Sequence, residues 1–403
     1  MSAAPDWLKV VEGGVDAVPG YLSGAASAGL KGAGPDLALL LSERLAAAAM
    51  VATTNLFRAA PVEVTARHLA SGRAQAIVVN SGNANACTGP QGVLDAEEMC
   101  ALAGRALGVP QECVAVASTG LIGVPLPMDK MREGIRAAAA GMGKNGSEAA
   151  RAIMTTDTFP KQVAVRYQAR KGEITLAGMA KGAAMIAPQM ATMLCFLFTD
   201  AALTAEALAL ALRGAVELSF NSITVEGDTS TNDTVLLLAN GASGTEEPDE
   251  QEMRRFGAAL RYVCLELAKM IVRDAEGATK IIEVQVRRAQ TARDAKQAAM
   301  AVANSVLVKT ALFGADPNWG RVAAALGRSG ALFDPSRVTI RLNQTTVFQA
   351  GRAAGFDHDA LKQELQGAEI AVSIDLGAGS AEATVWTSDL TTEYVNLNAH
   401  YTT

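Results

Sequence analysis

Short apolar segments typical of β-strands alternate with alanine- and leucine-rich helical segments along the whole chain of 403 residues. This alternation favours a protein built from layers of helices and sheets around a large buried core. Predicted strands lie at 76–79, 114–117 and 281–286, and predicted helices at 95–107, 204–218 and 252–272, the second of them with Thr204 as its N-cap.

The balance of apolar and charged residues narrows the classes of function. Half of the residues are apolar and 19% are charged, which is typical of a globular chain. The net charge of −6 argues against a nucleic-acid partner and against an anionic membrane surface. Residues 1–7 show no secretory signal, and the five cysteines are scattered without a C-x-x-C pair, so we expect a cytoplasmic protein with free thiols.

One uncharged run, from Gly182 to Thr199, is long enough to raise the question of a membrane span. It contains Pro188 and is bracketed closely by Lys181 and Asp200. We therefore expect a loop followed by a buried strand at 193–198, and no membrane association.

The chain has only three histidines, His68, His358 and His400. None lies near another at metal-ligand spacing, so no metal site is expected. His68 follows an apparent strand, and a structural role is expected for each of the three. A Ser-His-Asp triad is therefore disfavoured, and any covalent catalysis needs a different base.

Three segments combine hydroxyl-bearing residues with glycine or other small residues, and they lie at 117–123, 154–161 and 181–194. Each is by itself typical of a tight turn between strands. Together they are candidates for a site of nucleophilic catalysis.

The third segment reads Lys-Gly-Ala-Ala-Met-Ile-Ala-Pro-Gln-Met-Ala-Thr-Met-Leu and closely resembles the processing motif of the ornithine acetyltransferase (glutamate N-acetyltransferase) family of arginine biosynthesis. Further segments resemble that family in the same order, at 52–55, 59–62, 80–85, 118–123, 155–158, 227–233, 274–280, 303–305 and 316–321. Ala184, Gln189 and Glu226 depart from its usual glycine, asparagine and aspartate. The resemblance covers the chain from about residue 8 to its end.

The resemblance implies an α+β fold of layered helices and mixed sheets, as in this family and in self-processing aminopeptidases. It also implies that the chain cuts itself between Ala191 and Thr192. The products would be an α chain, 1–191, and a β chain, 192–403, which build one site together and assemble as an α₂β₂ heterotetramer.

The implied chemistry answers the shortage of histidines. The Thr192 hydroxyl can attack the carbonyl of Ala191, and cleavage frees an α-amine whose ordinary pKa is about 7.7–8.0, which makes it a base for its own hydroxyl. The resemblance implies ping-pong transfer of acetyl from N-acetylornithine to glutamate through acetyl-Thr192, with Thr119 and Gly120 as oxyanion donors. It places substrate contacts at Thr155, Lys181, Thr192, Glu276, Asn398 and Thr403.

No cofactor is implied, and the residues leave open whether acetyl-CoA also serves as an acetyl donor. Two alternatives stay open from the sequence. One is a self-processed amidase or aminopeptidase, in which water opens the acyl-enzyme. The other is an unprocessed relative that binds amino acids without catalysis.

Overall fold

The larger of two β-sheets in the computed structural model, which describes residues 4–187, 193–245 and 248–400, has nine strands. They are β1 (Lys9–Val11), β2 (Tyr21–Ala26), β3 (Leu37–Ala52), β4 (Arg73–Asn83), β5 (Val114–Leu121), β6 (Lys161–Ala169), β7 (Gly172–Lys181), β8 (Leu194–Thr199) and β9 (Thr234–Ala239). Their order is β1-β6-β7-β8-β9-β3-β4-β5, with β2 beside β3. The sheet is mixed, because β4 pairs with β5 and β8 with β9 in parallel while the other pairs are antiparallel.

The smaller sheet has six strands, all from the last third of the chain. They are β10 (Ile281–Ala289), β11 (Thr339–Leu342), β12 (Thr345–Gln349), β13 (Arg352–Ala353), β14 (Glu369–Asp375) and β15 (Ala381–Ser388). Their order is β13-β12-β11-β14-β10-β15, and the β10–β14 pair is parallel.

Helices cover the sheets. They are α1 (Ala60–His68), α2 (Gly89–Leu107), α3 (Met128–Ala140), α4 (Gly146–Ala152), α5 (Ala205–Glu217), α6 (Glu250–Arg273), α7 (Ala292–Ala303), α8 (Val306–Phe313), α9 (Trp319–Gly327), α10 (His358–Glu364) and α11 (Thr392–His400). Thr204 caps α5 as predicted, because its hydroxyl accepts a hydrogen bond of 3.2 Å from the Ala207 N–H. The predicted α+β class, with layered helices and mixed sheets, is confirmed.

The main core lies between α5, α6 and the centre of the large sheet. Leu208 of α5 and Leu267 of α6 pack against Leu197 and Leu237 on the sheet. The opposite face of β8 is also covered, and every residue of that strand is buried. The apolar run that ends at Thr199 therefore contains a core strand, as predicted. Within the ranges the structure describes, no helix is long and apolar enough to cross a bilayer.

His68 is placed differently from the sequence prediction, because it ends helix α1 and does not follow a strand. The alternating Val62-Glu-Val64 pattern imitates a strand, whereas Pro61 in the first turn favours the helix that is observed. The ring is held by the Val114 carbonyl oxygen, 2.7 Å from Nδ1, and by Glu97, 3.2 Å from Nε2. The histidine has the structural role that was expected.

The predicted cleavage site lies between two neighbouring central strands, since Lys181 at the end of β7 pairs with Leu194 at the start of β8. Ala191 and Thr192 themselves, like Thr403, lie outside the described residues. Strands β1–β7 belong to the predicted α chain, and β8 and β9 to the predicted β chain. Both predicted fragments would therefore contribute strands to a single sheet.

Candidate active site

A cleft of about 160 Å³ lies where the ends of β5 and β7 meet the segment that leads into β9 and the turn after α6. Six of the predicted site residues line it: Thr119, Gly120, Thr155, Lys181, Glu276 and Asn398. They come from positions as far apart as 119 and 398, and their individual roles remain predictions. Met193, which follows Thr192 directly, is buried and begins the segment that enters β8.

The wall formed by the end of β5 requires glycine at position 120. Gly120 has a φ of +132° and pairs with Gly82 of β4. A β-carbon there would lie 2.2 Å from the carbonyl carbon of Gly82 and 2.4 Å from the nitrogen of Asn83. Asn232 fixes the same strand end by donating to the carbonyl oxygens of Ser118 (2.9 Å) and Ala84 (2.6 Å). The peptide at Gly120 is thus held rigidly at the cleft, as an oxyanion donor needs to be.

Lys181 supplies a buried positive charge, with only 3% of its surface exposed. Among the residues the structure describes, its ammonium has no hydrogen bond or ion pair. Burial lowers the pKa of Lys181, while the carboxylates of Asp157 and Asp233 act in the opposite direction. A buried ammonium that no described residue hydrogen-bonds suits the carboxylate of an incoming ligand at the cleft wall.

Asp157 connects the end of β7, at Gly182, to Thr155, and the sequence analysis had given it no role. Its carboxylate accepts hydrogen bonds from the N–H groups of Thr155 (3.0 Å) and Gly182 (2.7 Å) and from Lys161 Nζ (2.6 Å). Burial by itself would raise its pKa, but Lys181 and Lys161 hold the pKa of Asp157 below its ordinary value. The charged carboxylate therefore fixes Thr155 beside the end of β7.

Replacing the buried ammonium tests its role as a carboxylate partner. Lys181→Met is expected to lower kcat/KM for N-acetylornithine, the substrate that the resemblance implies, about 10²–10³-fold and mainly through KM, because a substrate carboxylate would be left without its partner. The measurement is steady-state kinetics on purified protein with an unchanged circular dichroism spectrum.

The matched control is Lys280→Met, which removes another buried lysine. Lys280 donates to the carbonyl oxygens of Leu312 (2.6 Å) and Leu365 (2.8 Å) and does not line the cleft. It is expected to lower stability and leave KM near the wild-type value. An unchanged KM in Lys181→Met would exclude the lysine as a substrate contact.

The lining of the cleft also carries acidic side chains. Glu276 accepts a hydrogen bond of 2.9 Å from the Asn398 side chain, and Asp228 also lines the cleft. Glu226 accepts from the Ile186 N–H (2.8 Å), and burial raises its pKa to about 7. A lining that combines the Lys181 ammonium with these carboxylates suits a ligand that carries both a carboxylate and an ammonium.

The C-terminal helix α11 reaches the cleft because it docks on the turn at Gly277. The Thr391 hydroxyl donates to the Gly277 carbonyl oxygen (2.8 Å). Gly277 has a φ of +66°, and a β-carbon there would lie 2.6 Å from the nitrogen of Tyr394. Tyr394 lines the cleft beside Asn398 and was missed by the sequence analysis, which had only the family resemblance as a signal for this segment.

Ala184 stands where the family motif usually has glycine, and the backbone conformation at this position accepts alanine. The left-handed conformation in this turn is adopted by Met185, with a φ of +59°, and Ala184 has no positive φ. The conformational strain of a left-handed non-glycine residue, about 1–2 kcal/mol, therefore falls on Met185 and not on Ala184.

Comparisons with known proteins place the chain in a family. The model of the ArgJ family matches residues 22–403. The arginine biosynthesis bifunctional protein ArgJ of Symbiobacterium thermophilum is 53% identical over 404 residues, which cover 99% of this chain and all of that protein. The ArgJ protein of Geobacter sulfurreducens is 49% identical over 391 residues, covering 96% of this chain and all of that protein.

A solved structure agrees with this assignment. The crystal structure of the arginine biosynthesis bifunctional protein argJ from Bacillus halodurans is 37% identical, with a TM-score of 0.50, and the match covers 51% of this chain and 98% of that chain. The family model and the relatives extend over nearly the full length. The chain belongs to the ArgJ family.

Proposed function

We propose that this ArgJ-family acetyltransferase moves the acetyl group of N-acetylornithine to glutamate through an ester on Thr192, in the cyclic pathway of arginine synthesis. The family is shown by the full-length matches, and its members bear the name arginine biosynthesis bifunctional protein. The substrates and the nucleophile are the parts of the proposal that rest on the site.

The arrangement of charge in the cleft carries the proposal. The buried Lys181 lines this cleft together with Glu276, which Asn398 holds by a hydrogen bond. N-acetylornithine has one carboxylate and one free ammonium, so it matches both kinds of charge in the lining. Glutamate shares the α-carboxylate that Lys181 would bind.

The chemistry needs a nucleophile, a base and an oxyanion site. The freed amine of Thr192 takes the proton of the Thr192 hydroxyl, and Oγ attacks the acetyl carbonyl carbon. Thr119 and Gly120 stabilise the oxyanion that forms. Collapse breaks the C–N bond and releases ornithine, whose amine takes the proton. Glutamate's amine then attacks the acetyl ester, restores the threonine hydroxyl and leaves as N-acetylglutamate.

Self-cleavage into fragments 1–191 and 192–403 is part of the proposal. The two fragments would stay associated because their strands share one sheet. The solved argJ chain that matches over 98% of its own length covers 51% of this chain, as a separate fragment would. The complete assembly is proposed to be α₂β₂ and cytoplasmic, and the chemistry requires no cofactor. Acetyl-CoA remains a candidate second donor.

Trapping the intermediate tests the proposal. Purified enzyme is mixed with N-acetylornithine alone, quenched in acid, and its C-terminal fragment examined by mass spectrometry. An acetyl group on the peptide that begins at Thr192 is expected, and glutamate is expected to remove it much faster than buffer. Equal decay without glutamate indicates the hydrolase alternative. A full-length, uncut and unacetylated chain indicates the amino-acid-binding alternative.

A further inference from the structure

Asp233 combines complete burial with one unused carboxylate oxygen. It precedes β9 and has no exposed surface. Its Oδ1 accepts a hydrogen bond of 3.0 Å from the N–H of Met193, the residue that follows Thr192. Its Oδ2 is buried and, within the part of the chain that the structure describes, has no hydrogen-bond partner. Because an orphaned buried carboxylate oxygen is costly, it suggests a functional role.

The proposed function leaves one step without a base. The amine that serves Thr192 in acetyl transfer does not exist before cleavage, since the same nitrogen is then a peptide nitrogen whose lone pair is delocalised. No histidine lines the cleft among residues 4–187, 193–245 and 248–400. The Nδ1 and Nε2 of His68 already contact Val114 and Glu97. The uncut chain therefore needs a different proton acceptor near Thr192.

Asp233 binds the backbone directly after the residue whose hydroxyl would react. The Cα of residue 192 is two bonds from the nitrogen of Met193, about 2.4 Å away whatever the conformation. A threonine hydroxyl is two bonds from its own Cα. The Asp233 carboxylate therefore holds, at 3.0 Å, the N–H of the residue that is covalently joined to Thr192.

We propose that Asp233 is the proton shuttle for self-cleavage: Oδ2 accepts the Thr192 hydroxyl proton in the uncut chain and passes it to the Thr192 nitrogen. This inference rests on the proposed function, because it assumes cleavage at 191–192. It concerns maturation, whereas acetyl transfer uses the freed amine.

The step balances in protons and bonds. Oγ gives its proton to the carboxylate and forms a bond to the Ala191 carbonyl carbon. The C–N bond between residues 191 and 192 then breaks, and the nitrogen takes the proton back from Asp233 to become the free amine. Water opens the resulting ester, which leaves a carboxylate on Ala191 and a hydroxyl on Thr192. One carboxylate can serve both atoms, because both belong to the same residue.

The electrostatic surroundings support this role. Burial raises the pKa of Asp233 well above its ordinary value, which makes the carboxylate a stronger base than a surface aspartate. The Met193 N–H, the backbone and side chain of Ser230 and the positive charge of Lys181 lower the pKa and so limit this rise.

Asp233→Asn is the informative substitution, because the amide keeps an oxygen for the Met193 N–H and lacks a basic oxygen. The rate at which the full-length chain converts to two fragments is followed by gel electrophoresis after rapid purification. We expect the variant to fold and to cleave about 10²–10⁴-fold more slowly than the wild type. Cleavage of folded Asp233→Asn at the wild-type rate overturns the inference.

The matched control is Asp200→Asn. Asp200 is also buried, accepts a backbone N–H (Thr175, 2.8 Å), and has its pKa raised by burial to about 6, but it follows the far end of β8. It is expected to cleave at the wild-type rate. Equal slowing in both variants would show a general effect of losing a buried carboxylate and would also overturn the inference.

Two further measurements keep the test decisive. Hydroxylamine cleaves esters. We expect it to leave the Asp233→Asn chain uncut, because without the shuttle the ester between Ala191 and Thr192 does not form. Rapid fragmentation by hydroxylamine would show that the ester does form in this variant and would contradict the shuttle. Asp233→Glu, which keeps a displaced carboxylate, is expected to cleave measurably but about 10–10²-fold more slowly. A wild-type rate in Asp233→Glu contradicts the geometry proposed. Failure of the wild type itself to cut would instead contradict the proposed function.

Discussion

Thr192→Ala is expected to leave the chain uncut and to lower kcat for acetyl transfer by about 10⁴–10⁶. Alanine has no hydroxyl, so it can neither attack the Ala191 carbonyl nor carry the acetyl group. Both losses follow from one missing atom, and they can be measured separately. Full-length protein on a denaturing gel reports the first, and the rate of N-acetylglutamate formation from N-acetylornithine and glutamate reports the second.

Thr192→Ser provides the matched control, because serine keeps the hydroxyl and loses only a methyl group. It is expected to cleave and to transfer acetyl at rates far above those of the alanine variant. If Thr192→Ala still transfers acetyl at a rate near that of the wild type, the covalent mechanism is wrong, whatever the state of cleavage.

Gly120→Ala is expected to lower the free energy of unfolding by about 3–5 kcal/mol and kcat by about 10²–10³. The new β-carbon would overlap the backbone of Gly82 at 2.2 Å, and backbone cannot rotate away as a side chain can. The β4–β5 pair must therefore separate locally. That movement displaces the peptide proposed to stabilise the oxyanion.

Gly123→Ala separates the collision from the cost of a positive φ. Gly123 lies three residues further along the same segment with a φ of +80°, and no heavy atom lies within 4 Å of an added β-carbon. It is expected to lose about 1–2 kcal/mol of stability and to keep kcat near the wild-type value. Chemical denaturation and steady-state kinetics on both variants provide the comparison. Equal stability losses would show that the contact with Gly82 has no effect.

The sequence predicted those helices and strands that are marked by features within a few consecutive residues. The N-cap of α5 at Thr204 and the uninterrupted apolar strand β8 are confirmed because capping chemistry and complete burial leave a signature within a few residues. Helix α1 was missed since its valines alternate as in a strand, and packing against β5 decides its conformation.

The site depended more on resemblance than on pattern. Taken alone, Lys181 and Glu276 look like solvated charges, yet the structure buries Lys181 and turns both toward one cleft. The importance of Asp157 and Asp233 depends on partners that are brought near by strand pairing, 25 and 40 residues away along the chain. No local pattern carries that information, because tertiary contacts alone determine which polar groups remain unsatisfied.

The position of the proposed cleavage between β7 and β8 determines how the denatured protein can refold. Before the cut, these strands are joined by a short connection, so they pair at a high effective concentration. After the cut, a denatured sample contains two independent chains that must meet before the central sheet can form. The yield of refolded enzyme would then depend on protein concentration. The lifetime of the cleaved enzyme would be set by its slow rate of unfolding more than by its ability to refold.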